Sequence, residues 1–123
     1  MATGTLNNQN ATLCINTAQE IQVGTYNGKP LYRKFFTKSM DGVTVNMPTP
    51  IGSLPDATHA YIDITNSYFQ GENGNRLSPY LTPSDVEGWI TYFRAAGKSV
   101  MIRSYFQDVS TGTFYVAALY TKT

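Results

Sequence analysis

The dipeptide Asn27-Gly28 constrains the fold of this chain more than any other feature of the sequence. A type I′ β-turn requires positive φ at both of its central residues, and asparagine and glycine tolerate positive φ best. Segments rich in β-branched and aromatic residues flank the dipeptide on both sides. We therefore predict a β-hairpin over residues 20–35, with a two-residue turn and a register that pairs Val23 with Tyr32.

Short segments of strand-forming residues, separated by turn signals, recur along the rest of the chain. The strands predicted besides the two of the hairpin are 13–15, 43–47, 59–65, 88–94, 99–106 and 114–120, and residues 77–81 can add only a short extended piece. This spacing is typical of an all-β fold, an antiparallel β-sandwich that is jelly-roll-like or barrel-like, with seven or eight strands. Residues 51–57 are predicted to form a loop. Residues 83–86 are predicted to form at most one helical turn, because Thr82 and Pro83 resemble a helix start.

Two of the predicted strands differ in how their apolar residues are arranged. In 59–65, Ala60, Ile62 and Ile64 share one face, which we expect to lie against a core. In contrast, 114–120 is apolar on both faces. It is either a central strand covered on each side or a strand whose second row is buried against another subunit. The candidate subunit-interface row is Tyr115, Ala117 and Leu119.

Length and composition limit the class of protein. A chain of 123 residues has the size of one domain, and we expect residues 13–123 to form it, after a polar arm or linker over residues 1–12. Charged residues make up 14% and the net charge is +1, so neither nucleic-acid binding nor a polybasic membrane patch is predicted. No apolar run has the length of a membrane span, so no membrane insertion is expected. Cys14 is the only cysteine, which excludes an intrachain disulfide and predicts a small buried side chain.

The sequence contains no recognisable catalytic or metal-binding constellation. His59 is the only histidine, and no nucleophile motif accompanies it. Asp56 and His59 supply only two potential metal ligands, and no pair of acidic residues can be placed across a cleft from sequence alone. We therefore expect no enzyme activity, no catalytic residue, no metal site and no cofactor.

Recognition is the class of function that the composition favours. Tyrosine and tryptophan present rigid faces with a hydrogen-bonding edge, which suits glycan or protein binding. Two polar loops, 68–76 and 107–113, carry amide, hydroxyl and charged groups. On the first loop, we expect Arg76 to fork onto an acidic glycan and Tyr68 to stack on a sugar face. The candidate receptor-binding or glycan-binding residues are Tyr68, Gln70, Asn73, Asn75, Arg76, Gln107 and Asp108.

Three stretches of the sequence occur together in a characteristic order. Residues 23–34 read Val-Gly-Thr-Tyr-Asn-Gly-Lys-Pro-Leu-Tyr-Arg-Lys, residues 51–55 read Ile-Gly-Ser-Leu-Pro, and residues 120–123 read Tyr-Thr-Lys-Thr. In this order they resemble a module that recurs at the C-terminal ends of phage tail-fibre, baseplate and receptor-binding proteins. The resemblance spans residues 20–123.

The resemblance implies a virion module for attachment to the bacterial surface. Such a module binds a cell-surface receptor, expected to be a glycan, or supports a domain that does. The resemblance also implies a homotrimer, contacts with other virion proteins, and synthesis in the host cytoplasm before assembly into the tail or baseplate. We expect the receptor site on loops at the end of the sheets farthest from residue 1. The alternatives are a structural protein of virion assembly or capsid decoration and, less favoured, a polysaccharide hydrolase, which would need two carboxylates in one cleft.

Overall fold

The computed structural model describes residues 19–72, 74, 76–81, 88–107 and 109–123. Over these residues the chain is almost entirely β-structure, with one 3₁₀ turn at Ala96–Lys98. The strands are β1 (Ile21–Tyr26), β2 (Lys29–Ser39), β3 (Thr49–Ser53), β4 (His59–Gln70), β5 (Arg76–Leu77), β6 (Tyr80–Leu81), β7 (Gly88–Arg94), β8 (Ser99–Ser104) and β9 (Thr113–Thr121). The predicted all-β, antiparallel fold is confirmed. The described residues hold nine strands, because the predicted segment 77–81 is divided between two short strands in different sheets.

The strands form two antiparallel sheets that share one core. The first sheet has the order β1-β2-β9-β4-β5, and the second has the order β3-β8-β7-β6. The consecutive strands β2 and β3 lie in different sheets. β2 pairs with β9 and β3 pairs with β8, and β8 and β9 are also consecutive in the chain. This nested pairing makes the sandwich jelly-roll-like, and it places early and late parts of the chain side by side.

Side chains from both sheets fill the space between them. Trp89 of β7 is fully buried, and its Nε1–H donates a hydrogen bond to the Leu77 carbonyl oxygen at 3.2 Å. Its ring lies 5.1 Å, centre to centre, from that of Phe114 in β9, so the two rings connect the sheets. Other buried members of the core are Phe36, Met40, Leu54, Phe69, Val100, Ile102, Phe106 and Val116.

The hairpin forms with the predicted turn. Asn27 and Gly28 have φ of 52° and 77°, as a type I′ turn requires, and they join β1 to β2. The predicted pairing of Val23 with Tyr32 is wrong. A β-bulge at Val23 shifts the register, so that Tyr32 pairs with Gln22. Bulges are common at sheet edges, where β1 lies, and they leave one residue without a cross-strand partner.

Residues 43–47, predicted to be a strand, form turns instead. The Val43 N–H donates to the Met40 carbonyl oxygen at 3.0 Å, and the Met47 N–H donates to the Thr44 carbonyl oxygen at 3.2 Å. These local hydrogen bonds satisfy backbone groups that a strand would have to pair elsewhere, and the side chain of Met47 is left exposed. Local turns therefore replace strand pairing in this segment.

The predicted loop 51–57 begins inside a strand. β3 pairs with β8 at the edge of the second sheet and includes Pro50. An edge strand tolerates proline, because the missing N–H can face away from the partner strand. The chain leaves β3 at Leu54, which is buried, and the rest of the stretch is a loop as predicted.

The long strand β4 contains an excursion over residues 64–67. Pairing with β9 is regular up to Asp63 and resumes at Tyr68, so four residues of β4 stand opposite one residue of β9. The buried hydroxyl of Ser67 donates to the Asp63 carbonyl oxygen at 2.8 Å and accepts from the Ala117 N–H at 3.0 Å. The hydroxyl therefore takes the place of a backbone carbonyl as the partner of β9.

The excursion changes which apolar side chains of β4 face the core. Ala60 and Ile62 pack against it, as predicted. The prediction for Ile64 is wrong, since this residue is exposed. The regular alternation of strand faces ends at Asp63, one residue before Ile64, because the excursion begins there.

β9 is a central strand of the first sheet, with β2 on one side and β4 on the other. This central position agrees with the first of the two alternatives for the strand, and burial of its second row against another subunit stays a prediction. Its inward row, which includes Phe114 and Val116, lies in the core. In its outward row Ala117 is buried within the single chain, whereas Tyr115 and Leu119 are half-buried. Of the candidate interface residues, the last two retain exposed surface.

Some predictions concern residues outside the described ranges. They are the arm over residues 1–12, the strand over 13–15 with Cys14, and the helical turn over 83–86. Within the part of the chain that the structure describes, no helix is long and apolar enough to cross a membrane.

Candidate functional site

Two loops that the sequence analysis selected separately meet at one end of the first sheet. β9 runs antiparallel to both β2 and β4, so the ends of β2 and β4 lie beside the beginning of β9. Thr113 at that beginning pairs with Ser39 on one side and with Gln70 on the other. The adjoining loops enclose a cleft of about 460 Å³, which we call the polar cleft. Its lining residues are Ser39, Asp41, Gln70, Gly71, Glu72, Ser110, Thr111, Gly112 and Thr113.

Hydrogen-bonding side chains dominate the polar cleft. Serine and threonine contribute hydroxyls, Gln70 contributes an amide, and Asp41 and Glu72 contribute carboxylates. The Ser39 hydroxyl accepts from the Asp41 N–H at 3.2 Å, and the Lys38 ammonium donates to the Asp41 carbonyl oxygen at 2.8 Å. These bonds hold the loop that follows β2. Because hydroxyls both donate and accept while carboxylates accept, the cleft can match a ligand rich in hydroxyl groups.

A stack of three side chains stands beside the polar cleft on the outward face of the first sheet. The rings of Tyr115 in β9 and Tyr68 in β4 stack, with centroids 4.8 Å apart and planes 23° from parallel. The guanidinium carbon of Arg76 lies 4.8 Å from the centre of the Tyr68 ring, and its Nε donates to Gln70 Oε1 at 2.8 Å. Since β4 lies between β9 and β5, we infer that Tyr68 lies between the other two side chains. We call these three residues the tyrosine–arginine stack.

The order of this stack changes the roles of its members. Tyr68 was expected to stack on a sugar, but Tyr115 and Arg76 contact its ring from the two neighbouring strands. The face of Tyr115 toward β2 lies beside the small Thr37, its cross-strand partner. On that side Tyr115 has no aromatic neighbour among the described residues, whereas the ring of Tyr68 contacts both Tyr115 and Arg76. Burial raises the pKa of the Tyr68 hydroxyl, against a smaller opposite effect of Arg76, so this hydroxyl is a hydrogen-bond donor at neutral pH.

The structure brings some of the predicted binding residues together. Tyr68, Gln70 and Arg76 form one connected group, and Gln70 also lines the polar cleft. Gln107 is exposed and does not line the cleft. The predictions for Asn73, Asn75 and Asp108 lie outside the described residues.

The sequence analysis missed two contributions to this site. Ser39 ends β2 and Asp41 belongs to the turn that follows, and only the pairing of β2 with β9 places them beside the other loops. Tyr115 was assigned to the subunit-interface row instead of the stack. Its pairing with Tyr68 depends on the register that the excursion over residues 64–67 sets, and no local sequence signal shows that register.

The three stretches that carry the phage resemblance meet at the opposite end of the first sheet. Around a cavity of about 150 Å³ lie Lys34 from the first stretch, Ser53, Leu54 and Pro55 from the second, and Tyr120 and Lys122 from the third, together with Glu20 and Asp56. The Lys122 ammonium lies 2.8 Å from a Glu20 carboxylate oxygen and 4.4 Å from the centre of the Tyr32 ring. The Tyr120 hydroxyl donates to the other oxygen of Glu20. Stretches far apart in the sequence are therefore neighbours in the fold.

These contacts set the charge states at this end of the sheet. Hydrogen bonds from Lys122 and Tyr120 lower the pKa of Glu20, so its carboxylate is charged at neutral pH. Burial and the bond to Glu20 raise the pKa of Tyr120, which keeps its hydroxyl protonated. The residue before β1 is thereby joined to the end of β9. The nine residues of β9, about 30 Å, separate this end from the polar cleft.

The described residues contain no group of possible metal ligands, and the single histidine lies at the start of a strand. Among residues 19–72, 74, 76–81, 88–107 and 109–123, no three His, Cys, Asp or Glu side chains are grouped so that they could hold a metal ion. His59 lies at the start of β4, and its ring is 6.4 Å from that of Tyr26.

No protein-family model matches this chain, and no curated protein or solved structure is significantly similar to it. Its function must therefore be inferred from its own sequence and geometry.

Proposed function

We propose that this chain is a module of a phage tail or baseplate that attaches the virion to the bacterial surface by binding a glycan in the polar cleft. The observation that supports the binding role is the convergence of three loops on one polar cleft beside the tyrosine–arginine stack. The phage resemblance of the three sequence stretches supports the virion context.

The chemistry of the site favours a glycan as the receptor. A sugar ring presents hydroxyls at its rim and C–H groups on its faces. The polar cleft offers partners for the rim, and Tyr115 offers an aromatic surface for a face. Asp41 and Glu72 accept hydrogen bonds from neutral hydroxyls, while Arg76 adds attraction for an acidic unit beside the cleft.

The position of the cleft is consistent with attachment. It lies at the end of the first sheet opposite Glu20 and Lys122, so the preceding chain would connect to the virion from the far end. We expect a single site to bind with a Kd on the order of 0.1–1 mM, and several copies in one homotrimer to raise the apparent affinity.

The direct test measures binding of the purified protein to bacterial cell-wall preparations and to a glycan array. Arg76→Ala combined with Tyr115→Ala should reduce binding roughly tenfold or more, since the cation and the aromatic face are lost together. The matched control is Tyr80→Ala combined with Arg94→Ala, which removes the same residue types from exposed positions in the second sheet. This control should bind like the wild type.

The outcomes separate the proposal from its structural alternative. Full retention of binding by a folded Arg76→Ala, Tyr115→Ala variant would remove the stack from the receptor site. Failure of the wild-type protein to bind any cell wall or glycan would favour a chain that serves virion assembly or capsid decoration only.

A second candidate is hydrolysis of a surface polysaccharide, because Asp41 and Glu72 line the same cleft. Glycoside hydrolysis uses a pair of carboxyl groups on either side of the scissile bond. Release of new reducing ends from a cell-wall polysaccharide would demonstrate it, and Asp41→Asn or Glu72→Gln should then abolish the release. Binding without release would leave attachment as the function.

A further inference from the structure

A third cavity opens at the end of the first sheet that lies away from the polar cleft. It has a volume of about 400 Å³ and lies where β1, β2, β4 and β9 approach the end of β7. Its lining residues are Tyr26, Leu31, Thr58, His59, Ala60, Tyr61, Phe93, Ala95 and Thr121. We call it the aromatic groove. It shares no lining residue with the polar cleft or the tyrosine–arginine stack.

Aromatic side chains from three strands surround the groove. Tyr26 comes from β1, Tyr61 from β4 and Phe93 from β7. Tyr26 and Tyr61 are 45% and 49% exposed, so large aromatic surface is turned to the solvent on two sides of the cavity. The ring of Tyr26 approaches that of His59 at 6.4 Å. Rigid rings held by separate strands form a preorganised apolar surface, which reduces the entropy lost on binding.

The groove carries almost no charge. Of the described residues that line it, none is Asp, Glu, Lys or Arg, and His59 is the only one with a basic side chain. A charged ligand would lose hydration there without gaining an ionic partner, which costs free energy. Aromatic walls, a few hydroxyl groups and the lack of charge together favour an uncharged ligand that has both an apolar face and hydroxyls.

We propose that the aromatic groove binds a neutral pyranose unit. The C–H face of the sugar packs on the exposed tyrosine rings. The cavity is within the usual size range of small-molecule sites and is large enough for a single sugar ring. This second site does not depend on glycan binding in the polar cleft, where Arg76 and two carboxylates select a different ligand.

The test follows the imidazole Cε1–H resonance, which is unambiguous because His59 is the only histidine. At constant pH the protein is titrated with methyl α-D-glucopyranoside, methyl β-D-galactopyranoside and N-acetyl-D-glucosamine. D-glucuronic acid serves as the charged counterpart of glucose. At least one neutral sugar should shift the resonance with a millimolar Kd, and glucuronic acid should bind more weakly than the glucoside.

Variants locate the site. Tyr61→Ala should weaken neutral-sugar binding by roughly three- to tenfold, through loss of one aromatic face. Tyr80→Ala, which removes an exposed tyrosine of the second sheet, should leave the titration unchanged.

Either of two results would overturn the proposal: no shift with any of the neutral sugars, or unchanged affinity in a folded Tyr61→Ala variant. Arg76→Ala distinguishes the two sites. It should impair attachment through the polar cleft while the His59 titration stays as in the wild type, so either site can fail without the other.

Discussion

At Gly52 the chain passes so close to Phe36 that no side chain fits. A methyl group at this position would overlap the ring of Phe36, which is buried in the core opposite Val116. The ring cannot move aside without disturbing the packing between the sheets. This contact gives a physical reason for the glycine in the Ile-Gly-Ser-Leu-Pro stretch.

We predict that Gly52→Ala lowers the free energy of unfolding by about 1–3 kcal/mol, because the added methyl overpacks the core. Gly24→Ala is the matched control, since a methyl group there would meet no atom within 4 Å and the residue has no positive φ. Urea denaturation of both variants checks this. Equal midpoints would show that the Phe36 ring has room to shift.

The carboxylate of Glu20 makes folding sensitive to acid. Its hydrogen bonds with Lys122 and Tyr120 lower its pKa, so the folded chain binds a proton there less readily than the unfolded chain does. The resulting stabilisation is fully present above the ordinary carboxyl pKa of 4.5, and it is lost as the pH falls through the lowered value.

We predict that Glu20→Gln lowers the melting temperature at neutral pH and that this difference disappears in acid. Thermal unfolding of the variant and the wild type, measured from about pH 7 down to about pH 3, checks the prediction. Glu72→Gln, at the other end of the first sheet, is the control and should follow the wild type throughout. A Glu20→Gln difference that does not depend on pH would contradict the ionic explanation.

Among the elements, β4 depends most on a single side chain. The Ser67 hydroxyl bridges the Asp63 carbonyl oxygen and the Ala117 N–H across the excursion. We predict that Ser67→Ala lowers the free energy of unfolding by about 1–3 kcal/mol, because it leaves that N–H buried without a partner. Denaturation midpoints and hydrogen exchange of the Ala117 amide check this. Thr65→Ala changes an exposed residue of the same excursion and should behave like the wild type.

The elements that could be predicted from the sequence are those with local causes. The hairpin depends on positive φ at Asn27 and Gly28, and both residue types show this preference in any context. The excursion in β4 has no such signal, because Ser67 bonds to a residue 50 positions away. Residues 43–47 have the apolar alternation of a strand, but local turns satisfy the backbone N–H groups of Val43 and Met47 instead.

The candidate site was predictable in part for the same reason. The polar composition of the loop over 68–76 marked Tyr68, Gln70 and Arg76 as binding residues, and the structure groups them. Tyr115 stacks on Tyr68 because the register of β4 against β9 pairs the two residues. The sequence does not show this register. Composition therefore identified the loop over 68–76 as a binding segment. The role of each residue in it could be assigned only once its neighbours on the adjacent strands were known.

At the scale of the whole molecule, the outward face of the first sheet leaves part of an apolar side chain accessible. Leu119 is half-buried on this face, and Ile64, in the excursion of β4, is exposed. We propose that Leu119 packs between subunits of a homotrimer, and that Tyr115 belongs to the stack instead of the interface. This arrangement would leave the polar cleft of each subunit open.

We predict that the wild type sediments at about three times the mass of the 13.6 kDa chain and that Leu119→Asp dissociates it into monomers. Val45→Asp introduces the same charge at an exposed apolar position in a loop and should leave the assembly intact. Sedimentation velocity at micromolar concentration measures both. A monomeric wild type would rule out the trimer and leave Leu119 as ordinary surface.

Glu20 is joined to the end of β9, and the polar cleft lies at the other end of that strand. This arrangement determines how the first sheet responds to a pulling force. The hydrogen bonds between antiparallel strands are perpendicular to the strands. A pull between the two ends of the first sheet therefore acts along β2, β4 and β9 and loads their hydrogen bonds in shear, all at the same time. A pull across the strands would open the same bonds one after another, at a lower force. Under the attachment that we propose, the tether would pull the sandwich in this direction.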